Sequence, residues 1–367
     1  MRFLEVIGGW INRHFSNEEA IYLIVFVVFT FVTLFTLGGV LAPVLTGLVF
    51  AFLLQGLVKR LSAAGLPDGA AVAITFLLFI GGLIALILFV VPLVWRQLRA
   101  LAEAAPDLIV RLREAAADLT EAFPDLITER QVQSWVDLAA GELGTWSGSI
   151  VELLVAQVPS LVAVLIYIVL VPISVFFFLK DRRSLMDFFL SLLPRKRPLL
   201  TRVGDEMNDQ LGNYVRGKVI EILLVGATTF VAFTILGLNY AALLGVLVGL
   251  SVIIPYVGAA LVTIPVFIVA LFQFGWGLDL AIIMSVYGVI QFLDGNVLVP
   301  LLFSEVVDLH PITIIVAVLA FGGLWGVWGV FFAIPLATLV KAIYKAWPRS
   351  GSTAEQPPPQ DEQTQAA

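Results

Sequence analysis

Apolar residues arrive along this chain in long blocks, not in the strict alternation of a strand or the one-sided stripe of a soluble helix. A bilayer core about 30 Å thick takes roughly 20 residues per helical crossing. Uncharged runs of that order lie at 20–37, 39–57, 70–94, 159–179, 219–238, 240–274, 278–303 and 311–340. These eight segments predict an all-α, polytopic integral membrane protein. Gly38 and Gly39 predict a tight turn between the first two segments, and Lys59, Arg60, Gly65, Pro67, Asp68 and Gly69 mark the next turn.

Between the blocks the pattern changes in kind. Residues 95–158 carry ten acids against five bases, with Leu98, Leu101, Leu108, Leu112 and Leu119 near helical period. This predicts a small amphipathic helical subdomain outside the bilayer, with Pro106 and Pro124 opening new helices after breaks. Residues 180–218 are rich in bases. At the N-terminus Phe3, Leu4, Ile7, Trp10, Ile11 and Phe15 recur at helical spacing, so residues 1–19 predict an amphipathic helix on the membrane face. From 346 onward the chain is polar and predicts a disordered tail.

Composition narrows the class. Hydrophobic residues make up 60% and charged ones 13%, against about 25% charged in a soluble domain. Too little polar surface exists to clothe a water-soluble fold of this size. With no cysteine and two histidines, disulfides, thiolate sites and histidine-rich metal centres have no ligands, and neither metal nor cofactor is expected. Placing the N-terminus in the cytoplasm puts 16 of the 21 bases on that side, the other five lying in the acidic subdomain. The positive-inside rule therefore predicts both termini cytoplasmic.

The segment at 240–274 would be about 52 Å long as one helix, too long for a modestly tilted crossing. It must break, and the run Ile254, Pro255, Tyr256, Val257, Gly258 is the place, Pro255 freeing the carbonyl of Ser251. Irregular backbone at membrane depth requires burial in protein or a wet cavity. The next segment holds Gln291, Asp294 and Asn296 in an apolar setting, with Pro300 freeing the carbonyl of Asn296. Asp294 is the prime candidate for a solute or ion pathway, and Gln291, three residues earlier, shares its helical face. A helix-capping role for Asp294 is the bland alternative, and half-helix ends are themselves used as transport sites. Whether these segments cross or dip, the sequence leaves open.

Secondary candidates are weaker. Glu221, three residues after Lys218, predicts an interfacial ion pair, and His310 a solvated loop or a pH-responsive gate. No phosphate-binding glycine loop, His-Glu-x-x-His or Gly-x-Ser-x-Gly pattern occurs, so neither ATP-driven transport nor the commonest hydrolase chemistry is indicated, and the chain reads as no enzyme. The bases are explained by topology, so no nucleic-acid partner is expected.

The run Asn213, Tyr214, Val215, Arg216, Gly217, then Ile254 to Gly258, then Gln291, Asp294, Asn296, Val297 and Pro300, then His310, Pro311, Gly322, Gly323, Gly326, Gly329 and Pro335, together resemble the autoinducer-2 exporter-like permease family of bacteria. The resemblance covers about residues 10–345. It implies a secondary or passive inner-membrane permease, with export of the quorum-sensing signal autoinducer-2 or sodium or lithium exchange for protons among its activities. It also implies a homo-oligomer, with a pentamer among the assemblies, and points to Pro255, Tyr256, Gly258, Gln291, Asp294 and Asn296 as the core of the pathway.

The reading is a permease for a small polar solute, held by Gln291, Asn296, Tyr256 and the freed Ser251 carbonyl. One alternative is Na+(Li+)/H+ antiport on Asp294, with H+ or Na+ as coupling ion. Another is an envelope scaffold presenting the acidic subdomain.

Overall fold

The computed structural model describes residues 18–122, 158–191, 198–303 and 309–346, together with a few positions between 133 and 148 and residue 193. The expectations for residues 1–17, for Pro124 and for the tail beyond 346 lie outside the described residues. Every described element is helical, the outcome that a lipid environment forces on an apolar chain whose backbone must satisfy itself.

Helix α1 (Glu18–Ala63) is one rod of 46 residues. The turn expected at Gly38–Gly39 is not formed. Two glycines cost a helix about 1 kcal/mol each, less than unpairing backbone groups in hydrocarbon, and the helix runs on through Pro43 as well. One helix replaces two predicted segments, so the parity that put the N-terminus on the side of Lys59 loses a crossing. Helix α2 (Asp68–Ala85) runs through a π turn (Leu86–Val90) into α3 (Val91–Ala122). Pro106 sits inside α3 rather than opening a new helix. Helix α4 (Val158–Lys180) turns by 79° into the short α5 (Arg182–Ser191).

The remainder is built twice. Helix α6 (Pro198–Ile235) is followed by α7 (Ala241–Ser251) and α8 (Val257–Phe274). Helix α9 (Leu278–Leu293) continues through a π turn (Asp294–Leu298) into α10 (Val299–Phe303) and is followed by α11 (Pro311–Trp325), α12 (Val327–Phe331) and α13 (Ala333–Ala346). The two long helices are antiparallel: Gly217 faces the Phe303 ring at one end, and Phe233 packs with Tyr287 further along.

Each long helix is followed by a hairpin. Val257–Phe274 is long enough to cross alone, yet its end is tied back to where α7 began. Gln273 Nε2 donates to the Gly237 carbonyl at 2.7 Å, and the Asn239 N–H donates to Gln273 Oε1 at 2.6 Å. Segment 240–274 therefore doubles back, whereas 278–303 is a continuous rod. The second hairpin turns at Gly326, whose φ of 60° suits a residue without Cβ. Ile314 and Ile334, from its two arms, share one cluster with Tyr214 and Phe303.

Glycine sets the closeness of these arms. A Cβ on Gly258 would run into the Ser251 carbonyl oxygen, and one on Gly329 into the Phe321 carbonyl oxygen. Gly226, Gly245 and Gly249 bring α7 onto α6 in the same way: a Cβ on Gly249 would lie 2.7 Å from the Ile222 oxygen. Such contacts between small residues replace the missing hydrophobic drive between helices in lipid. Among the described residues, five helices are long and apolar enough to cross a membrane, and six with the bent α4–α5 pair.

Candidate functional site

The break in the first hairpin falls where Pro255 was expected to put it, over Val252–Tyr256, with Tyr256 in the left-handed region at φ 63°. A cavity of about 380 Å³ opens beneath it. Val252, Ile254, Pro255, Tyr256 and Ala259 line it from the first hairpin, and Ile314 and Ile334 from the second. Tyr214, Lys218 and Glu221 of α6 close one wall, and Gln291, Asp294, Gly295, Val299 and Phe303 the other.

The α6 wall carries an ion pair. Lys218 Nζ lies 2.7 Å from Glu221 Oε2, with side chains only 4% and 3% exposed. The contact is an ion pair at Oε2, and Lys218 donates a hydrogen bond to the Val252 carbonyl at 2.9 Å. Its ammonium also sits 5.2 Å from the Phe303 ring centre, a cation–π distance. The predicted Lys218–Glu221 pair is thus present, but buried in the cavity wall rather than interfacial.

On the facing wall Asp294 Oδ1 and Gln291 Nε2 are buried without a well-formed hydrogen bond, Gln291 lying beside the Tyr287 hydroxyl. One is an acceptor and the other a donor, and both groups line the same space. A buried orphan of either kind costs about 1–3 kcal/mol unless something fills its valence.

The other predicted residues fall elsewhere. Ser251 donates its hydroxyl to the Val248 carbonyl, and its own carbonyl takes the Ile254 N–H at 3.0 Å, so it is not the free acceptor expected. The carbonyl the break releases toward a side chain is that of Val252. Asn296 is exposed and back-bonds to the Phe292 carbonyl at 2.9 Å. Pro300 and Asn296 sit in or beside a π turn, not at a helix end. Gly258 serves packing. Tyr256 lines the mouth of the cavity and is 62% exposed. Asn213 accepts from the Arg216 guanidinium at 2.7 Å, and His310 caps α11 by accepting from the Ile312 N–H.

Sequence reasoning took Lys218 as a basic loop residue and the partner of Glu221, not as part of the site, and it missed Tyr287, whose hydroxyl pairs with Thr263 at 3.0 Å and donates to the Ala259 carbonyl at 3.2 Å. It also missed the repeat. Tyr214, Lys218 and Glu221 on α6 recur 73 residues later as Tyr287, Gln291 and Asp294 on α9. The spacing itself was the signal.

The fold and cavity define an α-helical, multi-pass membrane protein with a sparse polar site between two helical hairpins, the layout in which transporters hold their solutes. The chain belongs to the AI-2E family transporters, whose family model matches residues 23–349. It is 44% identical over 345 residues to "Putative permease PerM" of Escherichia coli strain K12, covering 94% of this chain and 98% of that one. It is 29% identical over 309 residues to "Putative transport protein YueF" of Bacillus subtilis, covering 82% of each. A second Bacillus subtilis protein, "Putative transport protein YrrI", is 25% identical over 305 residues, 82% of this chain and 84% of that one.

Proposed function

We propose that this chain is a permease, not an enzyme, and that it moves a small polar solute through the cavity between its hairpins. The observation that carries the reading is the pairing of Asp294 Oδ1 with Gln291 Nε2, a buried acceptor and a buried donor on one wall, both without a well-formed hydrogen bond. A hydroxyl satisfies both, donating to the carboxylate and accepting from the amide. Hydroxyl-bearing metabolites, including a signal of the autoinducer-2 type, fit that chemistry and the 380 Å³ volume. The names of the relatives, permease and transport protein, support the class.

A second reading is cation–proton exchange. Two carboxylates, Glu221 and Asp294, face one ammonium, Lys218, which leaves a formal charge of −1 that Na+, Li+ or a proton neutralises. We further propose a bacterial inner-membrane location, with the basic end of the bundle and the C-terminal Lys341 and Lys345 in the cytoplasm, and assembly as a homo-oligomer.

Flux of labelled small polyols into proteoliposomes tests the first reading. Gln291→Leu should lower it about tenfold, the worth of one hydrogen bond to a buried group, while Asn296→Ala stays within twofold of the parent. Equal flux in Gln291→Leu and the parent overturns it. Asp294→Asn separates the two readings: it should abolish sodium-dependent proton movement and leave part of the neutral flux.

A further inference from the structure

The two repeat units carry the same side-chain series at one spacing, with one difference in charge, and all of it but Tyr287 lines the cavity. Tyr214 answers to Tyr287 and Glu221 to Asp294, but Lys218 stands where the other unit has Gln291. We propose that Lys218 is the specificity-determining residue of the cavity, a resident cation that cancels one of its two carboxylates and so denies the site to divalent cations. This inference rests on the reading of the cavity as the solute route.

The ammonium is held on three sides. Glu221 Oε2 is at 2.7 Å, the Val252 carbonyl oxygen at 2.9 Å and the Phe303 ring centre at 5.2 Å. Lys218 itself is 3% exposed. A charge this fully partnered stays in place, so its effect on a visiting solute is constant. What remains available is one carboxylate, Asp294, with its buried Oδ1 unpartnered. One negative charge suits a neutral hydroxyl compound or a monovalent cation.

Remove the ammonium and the same walls become a different site. Glu221, Asp294, the Val252 carbonyl and the Gln291 amide oxygen supply only oxygen donors around one space. An all-oxygen set carrying two carboxylates is what calcium takes, with six to eight ligands in a tolerant geometry. Lys218 is thus the residue that separates a monovalent or neutral site from a divalent one.

The test uses the full-length protein, purified in detergent, with calcium chloride against choline chloride at equal ionic strength. The parent and Lys218→Arg should show no calcium-dependent rise in unfolding temperature. Lys218→Gln should gain a rise of about 2–4 °C at millimolar calcium, and Lys218→Gln/Glu221→Gln should lose it again. A calcium response in the parent or in Lys218→Arg overturns the proposal, as does none in a monodisperse Lys218→Gln. Where Lys218→Gln does not fold in choline chloride, calcium present during extraction should recover a monodisperse protein, and no recovery is equally fatal. Loss of polyol flux in Gln291→Leu addresses the route and the calcium response addresses Lys218, so either can fail without the other.

Discussion

The hydroxyl of Tyr214 donates to the carbonyl oxygen of Phe331 at 2.9 Å. Tyr287, 73 residues further on, donates to the carbonyl of Ala259, which precedes Phe331 by 72. Each tyrosine therefore reaches from the long helix of its own unit into the hairpin of the other. Their ring contacts also cross between the units, but onto the other long helix, Tyr214 with Phe303 at 5.8 Å and Tyr287 with Phe233 at 6.4 Å. Antiparallel helices with crossed tethers are what an inverted repeat produces, and the polar cavity lies between the units, where such repeats place their solutes.

These tethers should limit hairpin opening. A hydrogen bond of this kind contributes about 0.5–1.5 kcal/mol, so Tyr214→Phe and Tyr287→Phe should each raise the open population roughly two- to tenfold. The chain has no cysteine, and single cysteines at Ile254 and Val327 report on the two hairpins without background. Tyr287→Phe should accelerate maleimide labelling at 254, and Tyr214→Phe at 327. Unchanged rates at both would show the tethers to be idle.

Much of this architecture is legible in the residues, and the illegible parts share a cause. Pro255 and its long apolar segment announce a break because a helix of that length has nowhere to go in a bilayer. Gln291 and Asp294 announce a shared face through their three-residue spacing. Asn296 fails by the same rule: two residues beyond Asp294 it points round the helix, and it bonds to its own backbone. The two hairpins are hard to see because α7, α8 and α11 are apolar on every side, so periodicity gives neither direction nor fold-back. Gln273, which ties the first hairpin shut, looks like any polar residue at a segment end. Lys218 is obscured by its neighbours, a base at the edge of a basic stretch whose burial depends on the Val252 carbonyl 34 residues away.

Glycine-to-alanine changes should sort by position. At Gly258 and Gly329 the new methyl meets a backbone carbonyl that cannot move without opening the hairpin, and such overpacking costs about 1–3 kcal/mol. Gly81 and Gly82 lie in α2 with nothing within 4 Å of an added Cβ, and alanine there should stabilise the helix by up to about 1 kcal/mol. Thermal unfolding in one detergent gives the order directly. A loss at Gly81 equal to that at Gly258 would remove the packing argument.

The Lys218–Glu221 pair predicts a non-additive double substitution. Lys218→Met strands a buried carboxylate and should cost about 3–5 kcal/mol, whereas Lys218→Met/Glu221→Leu removes both charges and should recover most of that loss. Additive effects of the two single changes would mean that the pair is not coupled. The measurement is the set of unfolding midpoints for the four proteins of the cycle.

The hairpin at 240–274 makes a topological claim that can be read from outside the cell. Asn239 and Gly275 flank it, and the bonds from Gln273 to Gly237 and Asn239 hold its ends together, so cysteines at 239 and 275 should label from the same face of the membrane. The rod from Leu278 through the π turn to Phe303 then carries the chain across, and a cysteine at His310 should label only from the opposite face. The second hairpin returns its chain to the face it left, which puts Lys345 with His310. An impermeant maleimide on intact cells and on inverted vesicles separates these cases. Labelling of 239 and 275 from opposite faces would make 240–274 a crossing, and the cavity beneath Pro255 would lose the re-entrant wall that gives it shape.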